Sequence, residues 1–273
     1  ALNSLADEFV VFRFEDFYCL QPTESIVHRR KKGNHAAEGF YPLATKKAAF
    51  IATFRFVRGV LASGSLAKGY MDEKSDLDFF IITAPGRLWI ARTLLVAYKR
   101  LLLSNSHKYF CVNYFVDEDH LEIEEKNLFT ATEVATAMPM YGAQYYKRFM
   151  TINPWVKGFF PNYKPRSTEK VPEYRNQGPK RIVEWLLNGL LAGVLESFFR
   201  QITRNRWKRL YKKQYPAADF EVAFKSKEYA SKNHPQHFQR KVMDLYEKKI
   251  EEFDFPSWQE KSTGKSVEHG IKH

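Results

Sequence analysis

Residues Gly59 to Thr83 read GVLASGSLAKGYMDEKSDLDFFIIT, and the organisation of the chain follows from how that stretch is read. The apolar run Val57 to Ala62 has the length and composition of a short strand. It leads into Ser63-Gly64-Ser65. Small side chains at a strand end let backbone N–H groups approach a phosphate closely, and a helix start just beyond adds a favourable dipole. After ten intervening residues comes Asp76-Leu77-Asp78, at the head of a second apolar run, Leu77 to Thr83, rich in Phe and Ile. Residues i and i+2 of a strand point the same way, so Asp76 and Asp78 are expected on one face, with Leu77 and Phe79 turned to the core. Adjacent carboxylates repel, and the repulsion is relieved by a cation between them. Hard oxygen ligands of this kind suit Mg²⁺ or Mn²⁺. Such a cation bridges nucleotide phosphates, and phosphoryl transfer depends on that positioning and charge neutralisation.

Gly64-Ser65, ten residues, then Asp76-x-Asp78 between hydrophobic residues resembles the signature of the DNA polymerase β-like nucleotidyltransferase superfamily. Lys68, Gly69 and Ser75 also fall where stand-alone bacterial nucleotidyltransferase domains often carry a small or basic residue, a glycine, and the serine of Ser-Asp-x-Asp. A looser likeness continues to about Met150, and Pro139-Met140-Tyr141 is similar to a segment of aminoglycoside nucleotidyltransferases. The resemblance implies an α+β fold, a short mixed sheet with helices on one side. It implies transfer of a nucleoside monophosphate from an NTP to an acceptor, releasing pyrophosphate. Gly64, Ser65, Lys68 and Ser75 would hold the nucleotide, and Asp76 and Asp78 the metal. The family usually adds a third carboxylate from the next strand, as general base or metal ligand. In YFCVNYFV the residue in that environment is Asn113, which can offer a neutral oxygen but cannot take a proton. Glu122, in Leu121-Glu122-Ile123, has the expected hydrophobic–acid–hydrophobic pattern and is taken as the stand-in catalytic acid.

Working outward, FVVFRFEDFYCL suggests a hairpin about Glu15-Asp16, followed by a basic stretch, His28 to Asn34, read as a solvated turn. Residues 1–35 thus form a short β-rich N-terminal segment. Apolar positions recurring at three and four predict a helix over Ala36 to Arg55. Leu88 to Leu103 and Phe129 to Met138 also read as helices, and Tyr109 to Val116 as a third strand. The catalytic domain is therefore expected over 36–150. Five prolines between Asn153 and Pro179 mark a linker or excursion over 151–179. A helical C-terminal region over 180–261 and a disordered tail over 262–273 complete the chain.

Val183 to Phe199 is the most apolar run; it is shorter than the ~20 residues that span a bilayer, carries Glu184 and Glu196, and is read as a buried helix. Cys19 and Cys111 match no metal-ligand spacing and are read as reduced, buried thiols of a cytoplasmic protein. Of the 273 residues, 44% are hydrophobic and 27% charged, which excludes a disordered chain. The net charge of +12 favours polyanionic partners: an NTP, and nucleic acid through the basic helix Arg200 to Lys213, where Trp207 and Tyr211 interleave the cations. The acceptor stays open between a small molecule, a protein and RNA. The alternative is a catalytically weak or inactive nucleotide-sensing or nucleic-acid-binding regulatory protein on the same fold.

Overall fold

The two apolar runs either side of the Gly-Ser turn pair with each other. β3 (Val57–Ser63) and β4 (Asp78–Thr83) are antiparallel, with Ser63 opposite Asp78. The structure, a computed structural model, describes residues 2–104, 108–175, 191–233 and 238–252, together with 178, 180, 182, 184, 185 and 189. Ahead of β3 come α1 (Leu2–Asp7), the hairpin β1 (Phe12–Phe14) and β2 (Phe17–Cys19), and the long helix α2 (Ser25–Ala52). α3 (Gly64–Ala67) is one turn after β3, and α4 (Leu88–Leu102) carries the chain from β4 to the parallel strand β5 (Cys111–Asp117). α5 (Leu128–Thr136), β6 (Met138–Tyr141), α6 (Ala143–Ile152) and α7 (Val156–Phe159) follow, then α8 (Ala192–Tyr211), α9 (Ala217–Ala223) and β7 (Ala230–Lys232).

The main sheet has the order β6-β3-β4-β5-β7, mixed because only β4 and β5 run parallel. Alternation along the strands sorts the core into two faces. Val60, Phe79, Ile81 and Phe115 meet Ala44 and Ile51 of α2, Leu88 and Leu95 of α4, and Trp207 of α8. Leu61, Phe80, Ile82 and Val116 meet Val134 of α5 and Tyr146 and Phe149 of α6. The fold is α+β as expected, but helices cover both faces of the sheet rather than one. A second unit begins at Gln236, and its described part is α10 (Phe238–Glu252), which repeats Val242, Tyr246 and Ile250 every four residues.

Several expectations change. The basic stretch His28 to Asn34 is helix, not turn, and α2 runs unbroken across position 35. Its buried stripe begins at Val27 and passes through Gly33 to Ala37, so the helical period extends upstream of the apolar-rich part. The proline-rich excursion lies against the sheet domain. Gly142 donates its N–H to the Pro172 carbonyl, and Gln144 brackets the Tyr174 backbone. Helix α5 is capped by Asn127 and Thr130 in reciprocal hydrogen bonds. The apolar run is not a buried helix in its described part: Leu191, Val194 and Phe198 are exposed, while Leu195 and Phe199 pack on Ile90 and Ala91. Cys111 is buried, but Cys19 is only half-buried. Among the described residues no helix is long and apolar enough to cross a membrane. The tail 262–273 lies outside the described residues.

Two polar contacts hold the layers together. Glu196 of α8 accepts hydrogen bonds from the Trp89 and Ile90 N–H groups, 2.8 Å each, and so caps α4 from another helix. Glu124 accepts from Lys227 (2.6 Å), Tyr229 (2.8 Å) and Lys225 (3.0 Å), tying the loop after β5 to the segment before β7. Burial alone would raise the Glu124 carboxyl, but these hydrogen bonds win and hold it at about 2.

Glu196→Ala leaves two buried N–H groups at the start of α4 without an acceptor and is expected to lower stability by about 2–4 kcal/mol in urea unfolding. A loss under ~0.5 kcal/mol would mean water replaces the carboxylate fully. Because the folded pKa of Glu124 lies below its ordinary 4.5, its stabilising contribution is full above about pH 4.5 and is lost as pH falls toward 2. Thermal scans across that window should show a shallower acid decline for Glu124→Gln than for the wild type.

Candidate functional site

The end of β3 and the starts of β4 and β5 converge at one end of the sheet. Ser63 lies opposite Asp78, and Asp78 opposite Cys111. Gly64 follows at φ +64°, the left-handed region that glycine enters without steric penalty. A Cβ built there would stand 2.4 Å from Asp78 Oδ2. The carboxylate therefore occupies the space a side chain at position 64 would need. Leu77 and Phe79 are buried while Asp76 and Asp78 are partly open, as the alternation predicts, although the strand begins at Asp78 and Asp76 lies just before it.

The groups around Asp78 come from several elements. Asn113 of β5 donates its amide to Oδ1 at 3.1 Å. Lys68, after α3, points its ammonium at the Gly64 carbonyl (3.2 Å) and at Glu133 of α5 (2.5 Å), and Glu133 also accepts a long 3.4 Å contact from the Gly64 N–H. Burial pushes the Asp78 carboxyl up, neighbouring Asp76 and Glu133 push it further, and the Cys111 thiol and Lys68 oppose them, leaving it at about 6. The Cys111 thiol is itself pushed up, by burial and then by Asp78. On the other side, burial lowers the ammonium of Lys99 in α4, which also feels Cys111 and Asp76. Burial likewise lowers Lys232 of β7, where Glu125 and Glu133 act against it.

The expected site residues thus divide. Gly64, Lys68 and Asp78 form one cluster, with Asp76 acting on it electrostatically. Ser65 starts the same turn, and its carbonyl accepts from the Lys68 and Tyr70 N–H groups. Ser75 turns elsewhere: its hydroxyl donates to Asp72 Oδ1 (2.8 Å) and accepts from the Asp72 N–H (3.1 Å), stiffening the loop that delivers Asp76. Glu122 is exposed and ion-paired with Lys126 at 2.6 Å. The acid brought to the cluster is Glu133 instead, together with Asn113. Glu133 sits mid-helix in α5 without a hydrophobic–acid–hydrophobic strand pattern, and only its reach toward Lys68 marks it. Lys99, within the leucine-rich helix α4, and Lys232, in β7, act on the neighbouring acids from the side. In the basic helix α8, Trp207 is buried beside Trp89, and Tyr211 stacks on Phe224 at 4.6 Å. These aromatics belong to the core rather than to a stacking surface.

Asp76 and Asp78 offer hard oxygen donors, and the upward push on Asp78 is a repulsion that a divalent cation would relieve. Among the described residues no group of three or more His, Cys, Asp or Glu side chains gathers as a metal cage. Two carboxylates with water and phosphate oxygens are a common way of holding Mg²⁺, so the residues present fit that ion.

Comparison with protein-family models, curated proteins and solved structures finds no match for the chain.

Gly64→Ala is expected to lower stability by about 1–3 kcal/mol, through the left-handed backbone and the collision with Asp78. The penalty should shrink in an Asp78→Ala background. Equal penalties in both backgrounds, measured by denaturant unfolding, would show that the carboxylate does not fill the space beside Gly64.

Proposed function

We propose that the chain is a Mg²⁺-dependent (or Mn²⁺-dependent) nucleotidyltransferase of the polymerase β-like kind, moving a nucleoside monophosphate from an NTP to an acceptor that is still to be identified. The observation that carries this reading is the seating of the Asp78 carboxylate against Gly64, with Asp76 and Lys68 acting on the same group. A glycine turn, paired carboxylates and a cation at one strand end are what a triphosphate with its metal requires. When bound, the ion would supply Lewis acidity at the transferred phosphorus and neutralise phosphate charge.

The chain's own groups divide the remaining work. The turn at Gly64 and Ser65 offers backbone close enough for phosphate oxygens to approach. Lys68, held at the Gly64 carbonyl by Glu133, offers an ammonium to the same oxygens. Asn113 steadies one oxygen of Asp78 and leaves the other turned to the turn. Glu133 is the carboxylate best placed to accept the acceptor's proton, the role first given to Glu122.

Asp78→Ala and Asp76→Ala are expected to cut Mg²⁺-dependent NTP consumption at least ~100-fold. Both should stay folded, because both side chains are partly open and burial disfavours the Asp78 carboxylate. In the wild type, Mg²⁺ should raise the unfolding temperature, and in Asp78→Ala it should not. Turnover that is equal in wild type and variants would remove the catalytic assignment.

A further inference from the structure

A cavity of about 450 Å³ opens between the β1–β2 hairpin, the first turns of α2 and Tyr70. Its size falls within the range of small-molecule sites, roughly 300–1,000 Å³. Phe17 and Tyr18 line it from the hairpin, Arg29 and Arg30 from α2, and Tyr70 from the loop between the glycine turn and the paired aspartates. Aromatic rings with guanidinium groups at their edge recognise flat ligands that carry negative charge.

Two of these groups are held ready. The Tyr70 ring packs on α2 at Gly33, where a Cβ would stand 2.2 Å from it, and the Tyr70 hydroxyl reaches Asp72 at 3.3 Å. Arg30 donates to the Lys68 carbonyl at 2.8 Å and lies 5.7 Å from the Tyr70 ring centre. That single hydrogen bond leaves most of its five N–H donors for other acceptors. Nearby on α2, Lys31 pairs with Glu15, and His28 lies 3.7 Å from Glu24. Among the described residues neither Arg29 nor Arg30 has an acid within ion-pair distance. Two uncompensated guanidinium groups at an aromatic cavity carry a charge that a ligand would complete.

We propose that this cavity is a binding site for a planar aromatic ring bearing a phosphate or carboxylate group. Its lining does not include Asp76 or Asp78. The site therefore stands whether or not the transferase reading does.

Calorimetric titration of the full chain, without metal, tests it with adenosine 5′-monophosphate as the phosphate-bearing probe and benzoate as the carboxylate-bearing one. At least one should bind with a dissociation constant below roughly 10 mM, and adenosine or inorganic phosphate alone more weakly. Arg29→Ala, at an exposed position where the fold is not at stake, should weaken binding about tenfold. Arg30→Gln should do the same. Cys19 also lines the cavity, whereas Cys111 is buried, so bound probe should slow alkylation of Cys19 as read by mass spectrometry. The inference is overturned if neither probe binds or if Arg29→Ala leaves affinity unchanged. It is equally overturned if bound probe leaves the Cys19 rate untouched.

Discussion

The contact between the Asp78 carboxylate and the missing side chain of Gly64 is the constraint on which the rest of this end of the molecule depends. Antiparallel register places Ser63 opposite Asp78, and the chain must then turn away through a left-handed residue. Burying a carboxylate beside other acids is uphill by itself. It is held there by the packing of Leu77 and Phe79 on either side of it and by donors from the next strand, Cys111 and Asn113. Lys68 answers the same negative charge from the turn, and Glu133 answers Lys68 from α5. Each of these residues has a reason to be what it is once Asp78 is fixed, and little reason otherwise.

The central part of the fold was legible because its elements carry local signals. The strands Val57–Ser63 and Asp78–Thr83 are apolar runs of ordinary strand length, and helix Leu88–Leu102 is a leucine-rich stretch after a Pro-Gly break. The hairpin about Glu15-Asp16 also follows from composition. What escaped was set by distant partners. Residues 28 to 34 look like a solvated turn because their charges conceal a buried stripe, Val27, Gly33 and Ala37, whose partner Tyr70 lies elsewhere in the chain. The run ending at Phe199 looked buried because hydrophobicity says nothing of how many neighbours a helix will find; α8 meets α4 on one side only.

The same division holds for the site. Gly64, Lys68 and Asp78 lie within one short stretch, so spacing alone brings them together. Ser75 shared that stretch but is engaged by Asp72, a local competition that spacing does not reveal. Glu133 and Lys232 arrive through tertiary packing of α5 and β7, and no pattern within either element distinguishes them from surface charges. Glu122 had the better local pattern, yet the turn after β5 sends it to solvent beside Lys126.

Strand β7 has a consequence in time rather than in space. It closes the sheet against β5 by pairing Lys232 with Tyr114, more than a hundred residues earlier in the chain. During synthesis the first four strands of the sheet are complete while β5 still presents an open row of backbone donors and acceptors. Closing so long a loop is entropically slow. The outer edge of β5 therefore stays bare until the chain has been made as far as Lys232.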